Sequence, residues 1–201
     1  MSLFAWANRK LEHLSEQLAP VPNDPGHRFA KACSSNNPQL ALSLLSPTPP
    51  PLPDGSQCSP VDPFTTLVNK QKGSLVIHCA AEYSLVNVVQ SLIAQYGVSA
   101  EQFDHLGNTP LHYAASSNVS GAVQMVKCLV NEYNVSVTIK NGAGKTAYDV
   151  ATQDSIRQYL LPIQLQRETQ ECIDNGGRGL PDGIDMGGIN IKRDIAPPPM
   201  G

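Results

Sequence analysis

Two stretches of this chain repeat each other at a fixed distance. Gly73-Ser74-Leu75-Val76-Ile77-His78-Cys79-Ala80-Ala81 and Gly107-Asn108-Thr109-Pro110-Leu111-His112-Tyr113-Ala114-Ala115 lie 34 positions apart and share the glycine, the histidine and the paired alanines. A period of this length means one small supersecondary unit used several times, each unable to bury its apolar face alone and therefore stacked on its neighbours. A further copy, Gly144-Lys145-Thr146-Ala147-Tyr148-Asp149-Val150-Ala151, begins 37 positions after Gly107. The excess lies after Ala115, which stands 15 residues before Val130, whereas Ala81 stands 12 before Ile93; an enlarged turn is expected over Ser116 to Gly121. A degenerate copy lies upstream. Phe29-Ala30-Lys31-Ala32-Cys33 reaches Leu45 in the same 12 residues and precedes the Ile77 unit by 48. The surplus is filled by Ser46-Pro47-Thr48-Pro49-Pro50-Pro51-Leu52-Pro53-Asp54-Gly55, which cannot continue a helix and favours polyproline II.

Thr109-Pro110 is a helix start by its chemistry. The threonine can cap free amides of the first turn, and proline at the next place is preset to a helical φ and lacks only a donor that would go unused. Leu75-Val76 occupies the same places in the preceding unit, so that start is expected to be weaker by about 1 kcal/mol. Ala80-Ala81 and Ala114-Ala115 are small where first helices stack, while Val88, Val89, Leu92 and Ile93 recur at helical spacing and should pack between units. Ile156, Tyr159, Leu160 and Leu161 give the last unit its apolar face, and Pro162 is expected to stop that helix.

These segments resemble the helix-start pattern T-P-L-H-x-A of ankyrin repeats, carried in full by Thr109 to Ala114 and in part by the other copies, over residues 24–161. The resemblance implies an all-α fold: an ankyrin-repeat solenoid of about four helix-pair units with projecting loops or hairpins and a concave surface that grips partners. It also implies that His78 and His112 bond backbone between units. The exposed, variable places of the family pattern are then Glu82, Tyr83, Tyr113, Ser116 and Ser117, with Phe103, Asp104, His105, Asn108, Lys140 and Asn141 in the projecting loops. Tyr113 and Phe103 are the expected aromatic anchors on the concave side, although either ring could instead belong to the core.

The organisation that follows is an N-terminal amphipathic helix (1–20), a repeat domain (24–161) with a proline-rich insertion (46–66), and a mostly disordered tail (162–201). The helix carries Leu3, Phe4, Ala7, Leu11, Leu14 and Leu18 on one stripe. Capping the stack, pairing with a partner helix and lying in a membrane interface with Trp6 as anchor are all open to it. The tail, with Asn175-Gly176-Gly177-Arg178-Gly179 and Pro197-Pro198-Pro199, buries little apolar surface and is expected to be disordered beyond about residue 172.

Composition removes other classes. A net charge of -3 without blocks of like charge does not suit a nucleic-acid binder. The apolar runs fall short of the roughly 20 residues of a spanning helix, and Met1 to Pro20 does not read as a secretory signal. Five cysteines (Cys33, Cys58, Cys79, Cys128, Cys172) at irregular spacing, with no C-x-x-C, argue against a disulfide framework or zinc site. The expectation is a cytoplasmic protein, peripheral at membranes if the first helix inserts. Asn118-Val119-Ser120 and Asn134-Val135-Ser136 match the glycosylation acceptor pattern, which has force only in a secreted chain.

Gly142-Ala143-Gly144-Lys145-Thr146 looks like the end of a phosphate-binding loop, but the leading glycine is replaced by Ile139 and the segment falls in phase with the repeat turn. No nucleophile pair or paired-carboxylate motif accompanies the histidines, so no catalytic residue, cofactor or metal is assigned. Pro50, Pro51, Leu52 and Pro53 form a candidate ligand for WW or SH3-type domains. The sequence therefore reads as a non-enzymatic interaction module or adaptor that binds other proteins. The alternative is a peripheral membrane tether that uses the first helix while the repeats recruit partners.

Overall fold

The structure, a computed structural model, describes residues 24–51 and 59–174, with side chains through residue 170. The amphipathic segment 1–20, Leu52, Pro53 and the tail beyond Asp174 lie outside the described residues. Helices dominate. They come in pairs: α1 (Pro25–Ser34) with α2 (Pro38–Leu45), α3 (Val76–Glu82) with α4 (Val86–Ala94), α5 (Pro110–Ser116) with α6 (Ala122–Asn131), and α7 (Ala147–Val150) with α8 (Asp154–Asp174). A short antiparallel hairpin, β1 (Leu67–Asn69) and β2 (Ser74–Leu75), leads into α3.

The helices stack in two rows, α1, α3, α5 and α7 in one and α2, α4, α6 and α8 in the other. Alanine lets the first row close up: Ala80, Ala81, Ala114, Ala115 and Ala147 are all buried there, with Ile77 and Leu111 between them. The second row supplies the bulk of the core through Leu44, Val88, Val89, Leu92, Met125, Val126, Leu129, Ile156 and Leu160. Ile93 is half-buried at its edge. The link between α5 and α6 runs from 117 to 121, against 83 to 85 between α3 and α4, which is the enlarged turn expected from the spacing.

The ends of α4 and α6 repeat as well. Val98 N donates to Leu92 O and Val135 N to Leu129 O, each at 3.1 Å, closing both helices through left-handed residues, Gly97 at φ 70° and Asn134 at φ 53°. Asparagine tolerates this backbone region better than most side chains, which explains the swap.

Three expectations need correction. Thr109 does not cap α5 through its hydroxyl: its own N–H donates to His112 Nδ1 at 3.2 Å, and its Oγ1 also lies 2.9 Å from that nitrogen. Leu75 N makes the same bond to His78 Nδ1 at 3.1 Å, so the start of α3 shares the cap and the expected weakness there falls away. Pro162 does not end the last helix. It sits inside α8, exposed, where its ring meets solvent, and the chain stays helical to Asp174, overriding the lost amide donor.

Candidate functional site

One edge of the stack is built from the turns that precede α3, α5 and α7, and each is tied by an Asn or Asp side chain. Asn69 Oδ1 accepts from the amides of Gln71 and Lys72, both at 3.0 Å. Asp104 Oδ1 accepts from Leu106 N at 2.8 Å and Asn108 N at 2.7 Å. Asn141 Oδ1 accepts from Ala143 N and Lys145 N, both at 3.0 Å. Such residues favour turns because their short side chains bond the backbone a few places on.

Neighbouring turns are then joined. His105 N donates to Lys72 O at 3.0 Å, Gly142 N to Leu106 O at 2.8 Å, and Asn141 Nδ2 to Asn108 Oδ1 at 2.8 Å. Gly73, at φ 66°, lies directly under the His105 imidazole, where a Cβ would collide with the ring.

The histidines fix the turns to the helices. With Nδ1 accepting the helix-start amide, Nε2 carries the proton: His78 Nε2 donates to Gln102 O at 2.9 Å and His112 Nε2 to Lys145 O at 3.1 Å. Burial pushes both imidazole pKa values below the ordinary value, outweighing the carbonyls and the Asp104 charge that favour the cation. Both rings are held neutral with both nitrogens in use. In the third copy Asp149 replaces histidine, and its Oδ2 accepts from Thr146 N at 2.8 Å and Thr146 Oγ1 at 2.9 Å.

Three expected surface residues are inside. Tyr113 is only 8% exposed and Asp104 7%, because the phenol donates to Asp104 Oδ2 at 2.8 Å while Asn108 Nδ2 donates to the same oxygen at 3.0 Å. Burial acts to raise the Asp104 pKa, but the bonds from Asn108, Tyr113 and Leu106 outweigh it and hold the value below the ordinary carboxylate level. Burial, followed by the Asp104 carboxylate, pushes the Tyr113 phenol well above its usual pKa. The ring also meets His78 edge to face at 5.3 Å between centroids. Ser117 is buried too, its hydroxyl donating to Glu82 O at 2.6 Å and so tying the enlarged turn to the end of α3. Phe103, in contrast, is 52% exposed and not part of the core.

Between these elements lies a cleft of about 150 Å³, lined by Lys72, Leu106, Asn108, His112, Tyr113, Ser116 and Val150. It brings together three of the residues expected from sequence: Asn108, Tyr113 through its ring edge, and exposed Ser116. A wider concavity of about 500 Å³ between the turn tips is lined by His105, Leu106, Asn108, Asn141 and Gly142. Exposed Glu82, half-buried Tyr83 and exposed Lys140 line neither; Pro50 is half-buried and Pro51 exposed in the insertion.

The sequence reading missed Lys72, Leu106 and Val150. The repeat phase could have found them, since Val150 follows Asp149 as Tyr113 follows His112, and Lys72 and Leu106 each stand just before a repeat glycine. The loop that resembles a phosphate cradle has the amides of Ala143 and Lys145 already committed to Asn141. Among the described residues no group of three or more His, Cys, Asp or Glu is placed to hold a metal, and no helix is long and apolar enough to cross a membrane.

Comparison with known proteins gives the same period. A family model described as ankyrin repeats in three copies matches residues 29–141 and 77–168. The chain is also similar to Rabankyrin-5 of Mus musculus, 30% identical over 108 residues that make up 53% of this chain and 9% of that protein. It therefore spans less than a tenth of the length of that relative. Since the matched span runs from Phe29 in α1 to Glu168 in α8 and takes in both rows of helices, the chain belongs to the ankyrin-repeat family.

Proposed function

We propose that the chain is an interaction module or adaptor, a stack of about four helix-pair units whose concave face holds a partner protein. Ankyrin repeats in general mediate protein–protein interaction. One observation carries the reading for this chain: Tyr113 and Val150, at the same place of successive units, face a common cleft with Asn108 and Ser116. Its walls are set before any partner arrives, because Asp104 and His112 tie helix and turn together. A pre-organised apolar cleft with a few polar groups is the usual form of a recognition site. The cytoplasm is the compartment we assign, supported by the buried free thiols of Cys33, Cys79 and Cys128, which suit a reducing environment.

The test is capture of partners from a cell extract by the full chain, by Ser116→Trp, which fills the cleft, and by Gln124→Trp, at an exposed position of α6. Loss with Ser116→Trp alone, at unchanged melting temperature, supports the groove. Partners that survive Ser116→Trp but are lost when Pro50, Pro51 and Pro53 become alanine would move the site to the insertion.

A further inference from the structure

The chain is acidic as a whole, with 17 Asp and Glu against 14 Lys and Arg, yet its turn edge is not. The tips carry Lys70 and Lys72 before α3, His105 before α5, and Lys140 and Lys145 before α7, all exposed. The acids of the same turns are bonded within the protein, and the charge of Asp149 already acts on Lys145 and Lys140. Asp104 is buried and takes four hydrogen bonds from Leu106, Asn108 and Tyr113. Glu101 Oε1 accepts from Ser136 N at 2.7 Å, and Asp149 is engaged in capping α7. Lys70 reaches Asp24 at 3.8 Å, an exposed pair, whereas no ion pair among the described residues involves Lys72, Lys140 or Lys145. At the C-terminal end of α3, away from the turn tips, stands the exposed acid Glu82.

We infer that the groove takes an acidic, extended peptide segment of a partner, with one apolar side chain seated in the Leu106–Tyr113–Val150 cleft and its carboxylates against the lysines of the tips. This rests on the groove being the binding face and adds what it binds. The cleft, about 150 Å³, matches a benzene-sized apolar group, so it suits one leucine-, methionine- or phenylalanine-like side chain. Leu106, 52% exposed, is an apolar wall left to be covered. The lysines fix orientation and register: they attract carboxylates toward the tips, and Glu82 repels them from the helix ends.

The experiment is selection of a random peptide display library on the full chain, followed by binding of the selected peptides to the chain and three variants. The expected pool is rich in Asp and Glu around a single large apolar residue. Its peptides should bind at least about tenfold more weakly to Lys72→Glu with Lys145→Glu, and more weakly as salt rises. Replacing the apolar residue of the peptide by alanine should also lower binding, and that discrimination should vanish in Ser116→Trp. Glu82→Lys should not weaken the acidic peptides. Ser116 and Glu82 are the last residues of α5 and α3 and both are exposed, and melting temperature checks each variant. A neutral or basic pool, or acidic peptides indifferent to the two lysine reversals, overturns the proposal. If such a pool still loses binding with Ser116→Trp, the groove stands and only the acidic ligand falls. If peptides ignore Ser116→Trp as well, both readings fall.

Discussion

The Tyr113 hydroxyl reaches Asp104 Oδ2 over 2.8 Å, tying helix α5 to the turn that precedes it. A ring at the variable place of the repeat thereby becomes part of the frame, and only its edge is left to the cleft. Tyr113→Phe keeps the ring and removes the donor to a charged acceptor, so a loss of about 1 to 2 kcal/mol is expected in urea unfolding. Unchanged stability would show that the bond is not made in solution. Because the cleft keeps its shape, partner binding should fall far less than with Ser116→Trp.

Stability should decline on the acid side in two steps. His78 and His112 have folded pKa values lowered from 6.5, so the unfolded chain binds more protons below that pH. Their contribution is complete above pH 6.5 and is lost as pH falls from there toward the folded values. Asp104, lowered from 3.8, adds stability that is present above pH 3.8 and is lost as pH falls through its folded value. Denaturant midpoints between pH 8 and pH 3 should show the first decline near pH 6, reduced in His112→Gln; a flat profile down to pH 4 would sink this assignment.

Ser84 holds φ 58° between α3 and α4, and its Oγ is buried without a hydrogen-bond partner. Ser84→Gly removes both the left-handed strain and the unsatisfied hydroxyl. A gain of about 1 kcal/mol in thermal or urea unfolding is expected. A loss would mean that the extra freedom glycine gives the unfolded chain outweighs both.

Pro162 breaks the amide ladder of α8 from within. Pro162→Ala restores a donor and relieves the clash with the preceding turn. More helix by circular dichroism and about 1 to 3 kcal/mol of added stability are expected, with partner capture unaffected, since the residue lies away from the cleft. A fall in helicity would show that the proline serves the packing of α8 on α6 and α7.

The period made the repeats legible because the residues that mark it act locally: glycine turns the chain, histidine caps its own helix, alanine keeps first helices close. What each side chain meets across the turn was not legible. Asp104 looked like a loop residue for a partner, and only its folded neighbours Asn108 and Tyr113 reveal a buried clasp. For Phe103 the sequence left anchor and core both open, since an apolar ring beside a polar turn carries no local sign of exposure, and the ring is exposed. Proline at 162 was read by its usual effect on helices, which tertiary contacts from Ile156 and Leu160 before it override. The pair Tyr96-Gly97-Val98 and Tyr133-Asn134-Val135 was a period marker in plain view, hidden by the exchange of glycine for asparagine.

The histidine ties give the stack a direction. His78 grasps the carbonyl of Gln102 and His112 that of Lys145, each reaching toward the C-terminal neighbour, whereas Asp149, an acceptor only, has no proton to offer a turn beyond its own. The tie that passes from α3 to α5 and from α5 to α7 is therefore not passed on by Asp149. An engineer wishing to splice on another repeat would have to restore an imidazole at position 149 and displace α8 first, whereas growth from the other end, where each incoming unit brings its own hook, needs no such change.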